Sequence, residues 1–276
     1  MSSANTHDLL ISESEVRKRY ASWQRGEPER EWSCLTLLAE HAPGVAPVPL
    51  HRETDPDGAP VITMTRLPGA PLGSQALTPV QTQSLGRALR HVYEIPAAAV
   101  HDADIPERLY GPTTLPTLLA EWLRDAGDLS RCQDARLVRA GIDAALAWLA
   151  EPGVLPEPQL STIGVTDRKP ANILWDGRAC RLVDFEDSGR SDPAYEFADQ
   201  LEHLAGRLST TFDRLALADA IGLSPNQRQR AHAYRPLWAT FWMAMLLPGN
   251  GAFERNPPGT TESQAGYVLE LIGGAI

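Results

Sequence analysis

Thr166-Asp167-Arg168-Lys169-Pro170-Ala171-Asn172, a short turn through Asp176 and Gly177, and then Arg181-Leu182-Val183-Asp184-Phe185-Glu186 form the stretch on which the reading of this chain turns. Three oxygen-bearing side chains, Asp167, Asn172 and Asp184, sit on a tight loop and at the end of the apolar strand that follows it. Moving a phosphoryl group asks a protein for a carboxylate facing the attacking hydroxyl and for hard oxygen ligands that hold Mg²⁺ on nucleotide phosphates. The D-x-x-x-x-N spacing followed by Asp-Phe supplies one base and two metal ligands. Asp and Asn are favoured turn residues, so that spacing alone describes an ordinary loop. Its conjunction with Asp184-Phe185-Glu186 after an apolar strand, and with Asp192-Pro193 beyond, makes an active site the better reading.

The segment resembles the catalytic and metal-binding loops of the protein-kinase-like fold, most closely those of the aminoglycoside phosphotransferase family. There the pattern reads H-G-D-x-x-x-x-N, a short strand, D-[WF]-[EG], and then G-x-G-D-P. Gly189-Arg190-Ser191-Asp192-Pro193-Ala194-Tyr195-Glu196 meets the last part. Carried over by position, the resemblance implies that Asp167 is the catalytic base and that Asn172 and Asp184 hold Mg²⁺. Two departures stand out. Val165-Thr166 replaces the usual His-Gly, and Lys169 occupies the place of a phosphate-contacting lysine of protein kinases, which adds Lys169 to the catalytic set. The resemblance implies an α+β, two-lobe protein-kinase-like fold, with a small, truncated β-rich N-lobe and a larger, mainly α-helical C-lobe. It also implies ATP or GTP, with Mg²⁺, as cofactors.

On the N-terminal side, Leu9-Leu10-Ile11 and Val16 to Tyr20 read as strands split by the polar turn Ser12 to Glu15. Side chains alternate along a strand, so Lys18 faces one way and Arg17 and Arg19 the other. A helix is expected from about Glu29 to His41, with Trp32, Leu35, Leu38 and Ala39 on one face and Glu31 at its leading edge. The resemblance makes Lys18 the lysine of the α- and β-phosphates and Glu31 its ion-pair partner, with Glu27 and Glu29 as alternatives if the register differs. No glycine precedes Lys18; Ser2-Ser3-Ala4-Asn5, with Ser3 and Asn5 as candidate phosphate contacts, stands where a remnant of a phosphate cover belongs. A disordered terminus is the competing reading of those residues.

Val48 to Leu50 and Val61 to Arg66 are strand candidates joined by the hairpin signal Asp55-Pro56-Asp57-Gly58. Thr65, Arg66 and Leu67 lead out of the sheet, where the resemblance places a hinge near 65–69 whose backbone meets the adenine edge. The expected division is therefore a nucleotide-binding lobe over 1–67 and a helical lobe over 70–276 that carries the catalytic loop and the metal and substrate sites.

Thr78-Pro79-Val80-Gln81 is a capping-box start for a helix to about Tyr93, and Leu115 to Asp125 and Ala135 to Ala150 show helical apolar spacing. Asp192-Pro193 opens a helix to about Gly206, on which Glu196, Asp199 and Glu202 form an acidic stripe next to Asp187. Asp187, Asp199 and Glu202 are candidates for holding substrate amines, against the plainer reading of a solvated helix face. Ser224 to Gln227 starts a further helix that Pro236 is expected to kink or split, and Thr261 to Ile272 reads as the last one.

The chain has 276 residues, 43% hydrophobic and 22% charged, which suits a soluble globular protein with a substantial core. No apolar run approaches the roughly 18 residues that span a bilayer, and Met1 to His7 lacks the apolar core of a secretory signal. Cys34, Cys132 and Cys180 are few, scattered and odd in number, which argues for a reducing cytoplasm and against a disulfide framework or zinc site. The net charge of −10 argues against nucleic acid and agrees with a cationic small-molecule partner.

The function expected from all this is phosphorylation of a hydroxyl on a small cationic molecule, such as an aminoglycoside, by an antibiotic-resistance type of kinase. Two alternatives stay open: a kinase for another small metabolite, choline-like or homoserine-like, and a catalytically weak kinase-like binding protein.

Overall fold

The computed structural model describes residues 7–73, 75–204 and 212–273. The expected positions Ser3 and Asn5 lie outside the described residues, as does the end of the helix expected to reach Gly206. The chain divides into two compact units, one of Met1–Leu109, Gln159–Pro193 and Leu208–Leu223, the other of Tyr110–Pro158, Ala194–Arg207 and Ser224–Ile276.

The first unit is built on a four-stranded antiparallel sheet. Its strands are β1 (Asp8–Ile11), β2 (Glu15–Arg19), β3 (Pro49–Thr54) and β4 (Pro60–Thr65), in the order β1-β2-β4-β3. Charge reinforces the alternation along β2. Arg17 and Arg19 meet Asp55 at 2.6 and 2.9 Å, on the turn joining β3 to β4, while Lys18 between them is buried. That turn closes with Gly58 N–H on Asp55 O at 2.8 Å, and Gly58 takes a φ of 87°, which favours glycine. Helix α1 (Glu27–His41) starts two residues earlier than the sequence suggests, with Pro28 in its first turn, and buries Cys34, Leu35 and Leu38.

Five short strands place the loops of interest. β7 (Ile173–Trp175) pairs antiparallel with β8 (Cys180–Leu182), aligning Ile173 with Leu182. The residues just outside that pair, Asn172 and Val183, are therefore neighbours, and Val183 N–H donates to Asn172 O at 3.1 Å. Asp176 holds the intervening turn by accepting from the N–H groups of Arg178 and Ala179 at 2.8 and 2.7 Å. β5 (Ala70–Pro71) adds to this sheet beside β7. β6 (Thr162–Gly164) pairs with β9 (Gly189–Ser191), so the two chain segments, 165–172 and 183–188, enter and leave side by side.

Helix α2 (Pro79–Tyr93) has the reciprocal capping box between Thr78 and Gln81. It packs on α7 (Arg214–Ile221), where Gly86 lies against Ala220 so closely that an added Cβ would sit 3.1 Å from the Ala220 carbonyl carbon. A short helix that the sequence reading did not single out, α3 (Ala97–Asp102), follows α2.

The second unit is helical: α4 (Leu115–Arg124), α5 (Ala135–Leu149), α8 (Pro225–Met245), a short α9 (Gly251–Arg255) and α10 (Thr260–Gly273), with α6 (Pro193–Glu202) leading into it. Leu119, Leu123, Val138, Ile142, Leu237, Trp238 and Val268 form its buried interior. The expected split at Pro236 is corrected: α8 runs unbroken from Pro225 to Met245. A proline inside a helix costs about 3 kcal/mol, and burial of one large apolar side chain returns about 1.5–3. Leu237, Trp238 and Phe241, all buried immediately after Pro236, outweigh that cost. Among the described residues, no helix is long and apolar enough to cross a membrane.

Candidate active site

Lys18 is the centre of the site. Its Nζ lies 2.8 Å from Glu31 Oε2, 2.8 Å from Asp184 Oδ1 and 2.6 Å from Glu186 Oε2. Two of the ammonium's three N–H donors bond Glu31 and Asp184, and Glu186 lies beside it at ion-pair distance. Side-chain exposure grades these partners: 2% for Glu31, 13% for Glu186 and 32% for Asp184. Burial by itself lowers the pKa of Lys18, but Glu31, Asp184 and Glu186 overcome it and hold the amine well above the ordinary lysine range. Burial pushes Glu186 up to about 7 against the pull of Lys18, with Asp184 and Glu31 adding to the rise.

Glu31 is fixed from two further directions. Tyr20 donates its hydroxyl to Oε2, and the Phe185 N–H donates to Oε1 at 3.1 Å. Of the three glutamates at the start of α1, Glu31 is thus the one that meets Lys18; Glu27 instead holds Arg25 at 3.0 Å.

The loop carrying Asp167 and Asn172 is tied by its own backbone. Lys169 N–H donates to Asp167 O at 2.7 Å, and Asn172 N–H to Lys169 O at 2.9 Å. The Asn172 amide then donates to Asp167 O at 2.9 Å and to Asp184 Oδ2 at 3.2 Å, linking the two loops. Asp167 and Asp184 have φ values of 54° and 73°, in the left-handed region that costs a non-glycine residue about 1–3 kcal/mol and recurs at ligand-handling sites. Lys169 Nζ rests 2.5 Å from Asp167 Oδ2. Burial works to lower its pKa, but Asp167, with Asp184 and Glu186 beyond, raises it above the usual value.

With both N–H groups of the Asn172 amide engaged, its carbonyl oxygen is the group left to face a cation, beside the part-exposed Asp184 carboxylate. Among the described residues, no group of three or more His, Cys, Asp or Glu has metal-holding geometry. Two protein oxygens nevertheless fit Mg²⁺, which keeps waters and takes phosphate oxygens for its remaining positions.

The other expected residues fall as follows. Thr65 and Arg66 commit their N–H groups to Val48 O and Ser14 O at 2.9 and 2.8 Å, and Leu67 follows them half-buried. Asp187 faces Arg25 at 3.4 Å, and burial raises its pKa. Asp199 and Glu202 are buried in the second unit, where Glu202 Oε1 accepts from Arg235 at 2.6 Å and from Tyr267 at 3.2 Å. The solvated helix face that is the plainer reading of this stripe is not found at either residue. Sequence reasoning misses two residues of the Lys18 cluster. Glu186 reads in the sequence only as the residue that closes Asp-Phe-Glu, and His7, whose Nε2 lies 2.8 Å from Glu186 Oε2, has no signal beyond being a polar residue before a strand.

A sheet with one helix beneath it and a buried Lys-Glu pair, next to two loops joined through an asparagine and an aspartate, defines a kinase-type enzyme. The chain belongs to the phosphotransferase enzyme family, whose model matches residues 15–234. Among curated proteins, no sequence matches significantly. Solved structures share the protein-kinase-like fold at low identity. The GDP complex of a wild-type aminoglycoside 2'-phosphotransferase-IIIa is 15% identical, over 100% of this chain and 90% of that one, with a TM-score of 0.64. A spectinomycin phosphotransferase in complex with ADP and spectinomycin is 13% identical over 100% and 91%, at 0.59. A choline/ethanolamine kinase family protein from Mesorhizobium loti is 18% identical over 99% and 86%, at 0.57.

Proposed function

We propose that this protein transfers the γ-phosphoryl group of ATP or GTP, with Mg²⁺, to a hydroxyl of a small cationic molecule. The observation that carries the reading is the joining of Lys18, Glu31, Asp184, Asn172 and the Asp167 loop in one hydrogen-bonded set. Lys18, oriented by Glu31, contacts the α- and β-phosphates. Asn172 and Asp184 hold Mg²⁺, which supplies charge neutralisation on the β- and γ-phosphate oxygens. Asp167 accepts the proton of the acceptor hydroxyl as its oxygen bonds to phosphorus and the bond to the β-phosphate oxygen breaks, releasing the nucleoside diphosphate. Lys169, paired with Asp167, is assigned to the charge of the γ-phosphate. With the amides of Thr65 and Arg66 engaged in the sheet, the amide of Leu67 and the neighbouring carbonyls are the groups assigned to the base edge.

An aminoglycoside or another amine-bearing antibiotic is the favoured acceptor class, supported by the net charge of −10 and by the structural neighbour in complex with ADP and spectinomycin. Asp187, Asp199 and Glu202 are the candidates for the amines, Asp187 beside Arg25 and Glu202 beside Arg235. Such an enzyme acts in the cytoplasm, where ATP and reduced thiols are at hand.

The test is a nucleotide-consumption screen over aminoglycosides, cationic peptide antibiotics, choline and homoserine, with Asp167→Asn as control. The variant is expected to lose about 10²–10⁴ in kcat, the range of general base catalysis, while binding nucleotide as the parent does. Equal turnover refutes the base assignment, and turnover of choline alone moves the acceptor class.

A further inference from the structure

Three carboxylates crowd Lys18 Nζ at ion-pair distance, with Glu31 and Asp184 accepting its hydrogen bonds, so a phosphate can reach this amine only where one of the three withdraws. The surroundings say which. Glu31 is buried and held by the Tyr20 hydroxyl and the Phe185 N–H, so it stays. Asp184 is the most exposed of the three and touches Asn172, so it is the one a cation would draw away. Glu186 is nearly buried, and its Oε2 lies between Lys18 at 2.6 Å and His7 Nε2 at 2.8 Å.

His7 is itself fixed. Its Nδ1 accepts the Ala21 N–H at 3.1 Å, its ring tilts against Tyr20 at 4.8 Å between centroids, and only 6% of the residue is exposed. Because Nδ1 is an acceptor, a neutral ring carries its proton on Nε2, the atom that faces Glu186. Burial, and then Lys18, lower the pKa of this imidazole, which favours the neutral form.

We propose that His7 is a positioning residue for nucleotide binding: through Glu186 it holds Lys18 together with Glu31, leaving the N–H now on Asp184 as the one presented to phosphate. The inference rests on the nucleotide-dependent reading above. It adds a residue from the segment ahead of the first strand, and Glu186 from the end of the second loop, to the setting of the phosphate-binding lysine.

Two amide substitutions separate this role from a merely structural one. In His7→Gln the side-chain N–H₂ reaches about as far as Nε2 and keeps a donor on Glu186. In His7→Asn the shorter amide reaches only as far as Nδ1, keeping an acceptor for the Ala21 N–H and losing Glu186. Nucleotide affinity is measured by titration with Mg²⁺ and ATP on the full chain, and kcat at saturating nucleotide is measured beside it.

The expected result is Kd and KM for nucleotide raised about tenfold in His7→Asn, the scale of one lost close contact between a buried polar group and a charge, with kcat within about twofold. His7→Gln is expected to stay close to the parent. In a Glu186→Ala background, His7→Asn should have no further effect, as two residues acting through one contact are not additive. Parent-like affinity in His7→Asn overturns the proposal, as does a full additional loss in the Glu186→Ala background. Should His7→Asn fail to fold, the comparison of His7→Gln with the parent, together with the effect of Glu186→Ala on nucleotide Kd, decides the matter: parent-like Kd in Glu186→Ala overturns it. A parent protein that binds no nucleotide at all sinks the phosphotransferase reading itself, a different and recognisable failure.

Discussion

Lys18 is buried with three carboxylates around it, and their charge depends on its compensation. Removing one member of a buried charge set costs about 3–5 kcal/mol, because the partners keep their charge and lose its compensation. Lys18→Met is therefore expected to lower the urea midpoint strongly as well as abolish nucleotide binding; an unchanged midpoint would show that the carboxylates do not depend on the lysine. Asp176 offers a contrasting case. The Ala179 N–H, then the Arg181 guanidinium, then the Arg178 N–H hold its carboxyl well below the ordinary value of 3.8. A depressed folded-state pKa contributes stability that is present above 3.8 and is lost as pH falls through the lower folded value. In melting curves, Asp176→Asn should thus lie below the parent from neutral pH down to about 4, with the gap closing only in more acidic buffer. A gap that closes between pH 7 and 5 contradicts that assignment.

At the scale of elements, the site is the product of two antiparallel strand pairings. The β7–β8 register sets Asn172 beside Val183, and the β6–β9 register sets Gly164 opposite Gly189. Gly189 has no room for a side chain: an added Cβ would clash with the Pro106 carbonyl and lie 2.7 Å from the Arg108 nitrogen, both backbone atoms. Overpacking of that kind costs about 1–3 kcal/mol or more, and here it would be relieved only by shifting the strand that leads out of the 183–188 loop. Gly189→Ala is expected to reduce nucleotide affinity along with melting temperature. Gly86→Ala, which crowds Ala220 between α2 and α7, is expected to lower the melting temperature alone. Nucleotide binding lost equally in both variants would mean that general destabilisation, not loop placement, is being measured.

For the molecule as a whole, the three cysteines are buried, Cys34 and Cys180 in the first unit and Cys132 in the second. Burial raises the pKa of the Cys34 thiol to about 12 and that of Cys180 to about 11. Thiol-reactive dye should therefore modify none of the three rapidly in the native protein, and all three on unfolding; a fast-reacting native thiol would contradict the burial. Nucleotide with Mg²⁺ should protect Cys34 and Cys180 further, since a ligand at 100 times its Kd adds about 2.7 kcal/mol to the state that binds it. Protection that survives Asp184→Ala would show that the metal pair is not part of the nucleotide site.

Features governed by near neighbours are legible in the amino-acid sequence by itself. The capping boxes at Thr78–Gln81 and Ser224–Gln227, the hairpin turn at Asp55–Gly58 and the alternation of Arg17, Lys18 and Arg19 all depend on residues within a few positions of one another. The spacing of Asp167, Asn172 and Asp184 is likewise visible there, within the residues 15–234 that the family model matches. Packing alone decided the rest. Which of Glu27, Glu29 and Glu31 meets Lys18 depends on the phase of α1 against the sheet, and whether Pro236 breaks α8 depends on what the helix buries. The contact from Lys18 to Asp184 spans 166 residues, and the His7–Glu186 contact joins the two ends of a comparable stretch. No local pattern encodes such pairs, because their energy exists only once sheet, helix and loops have closed around the same small volume.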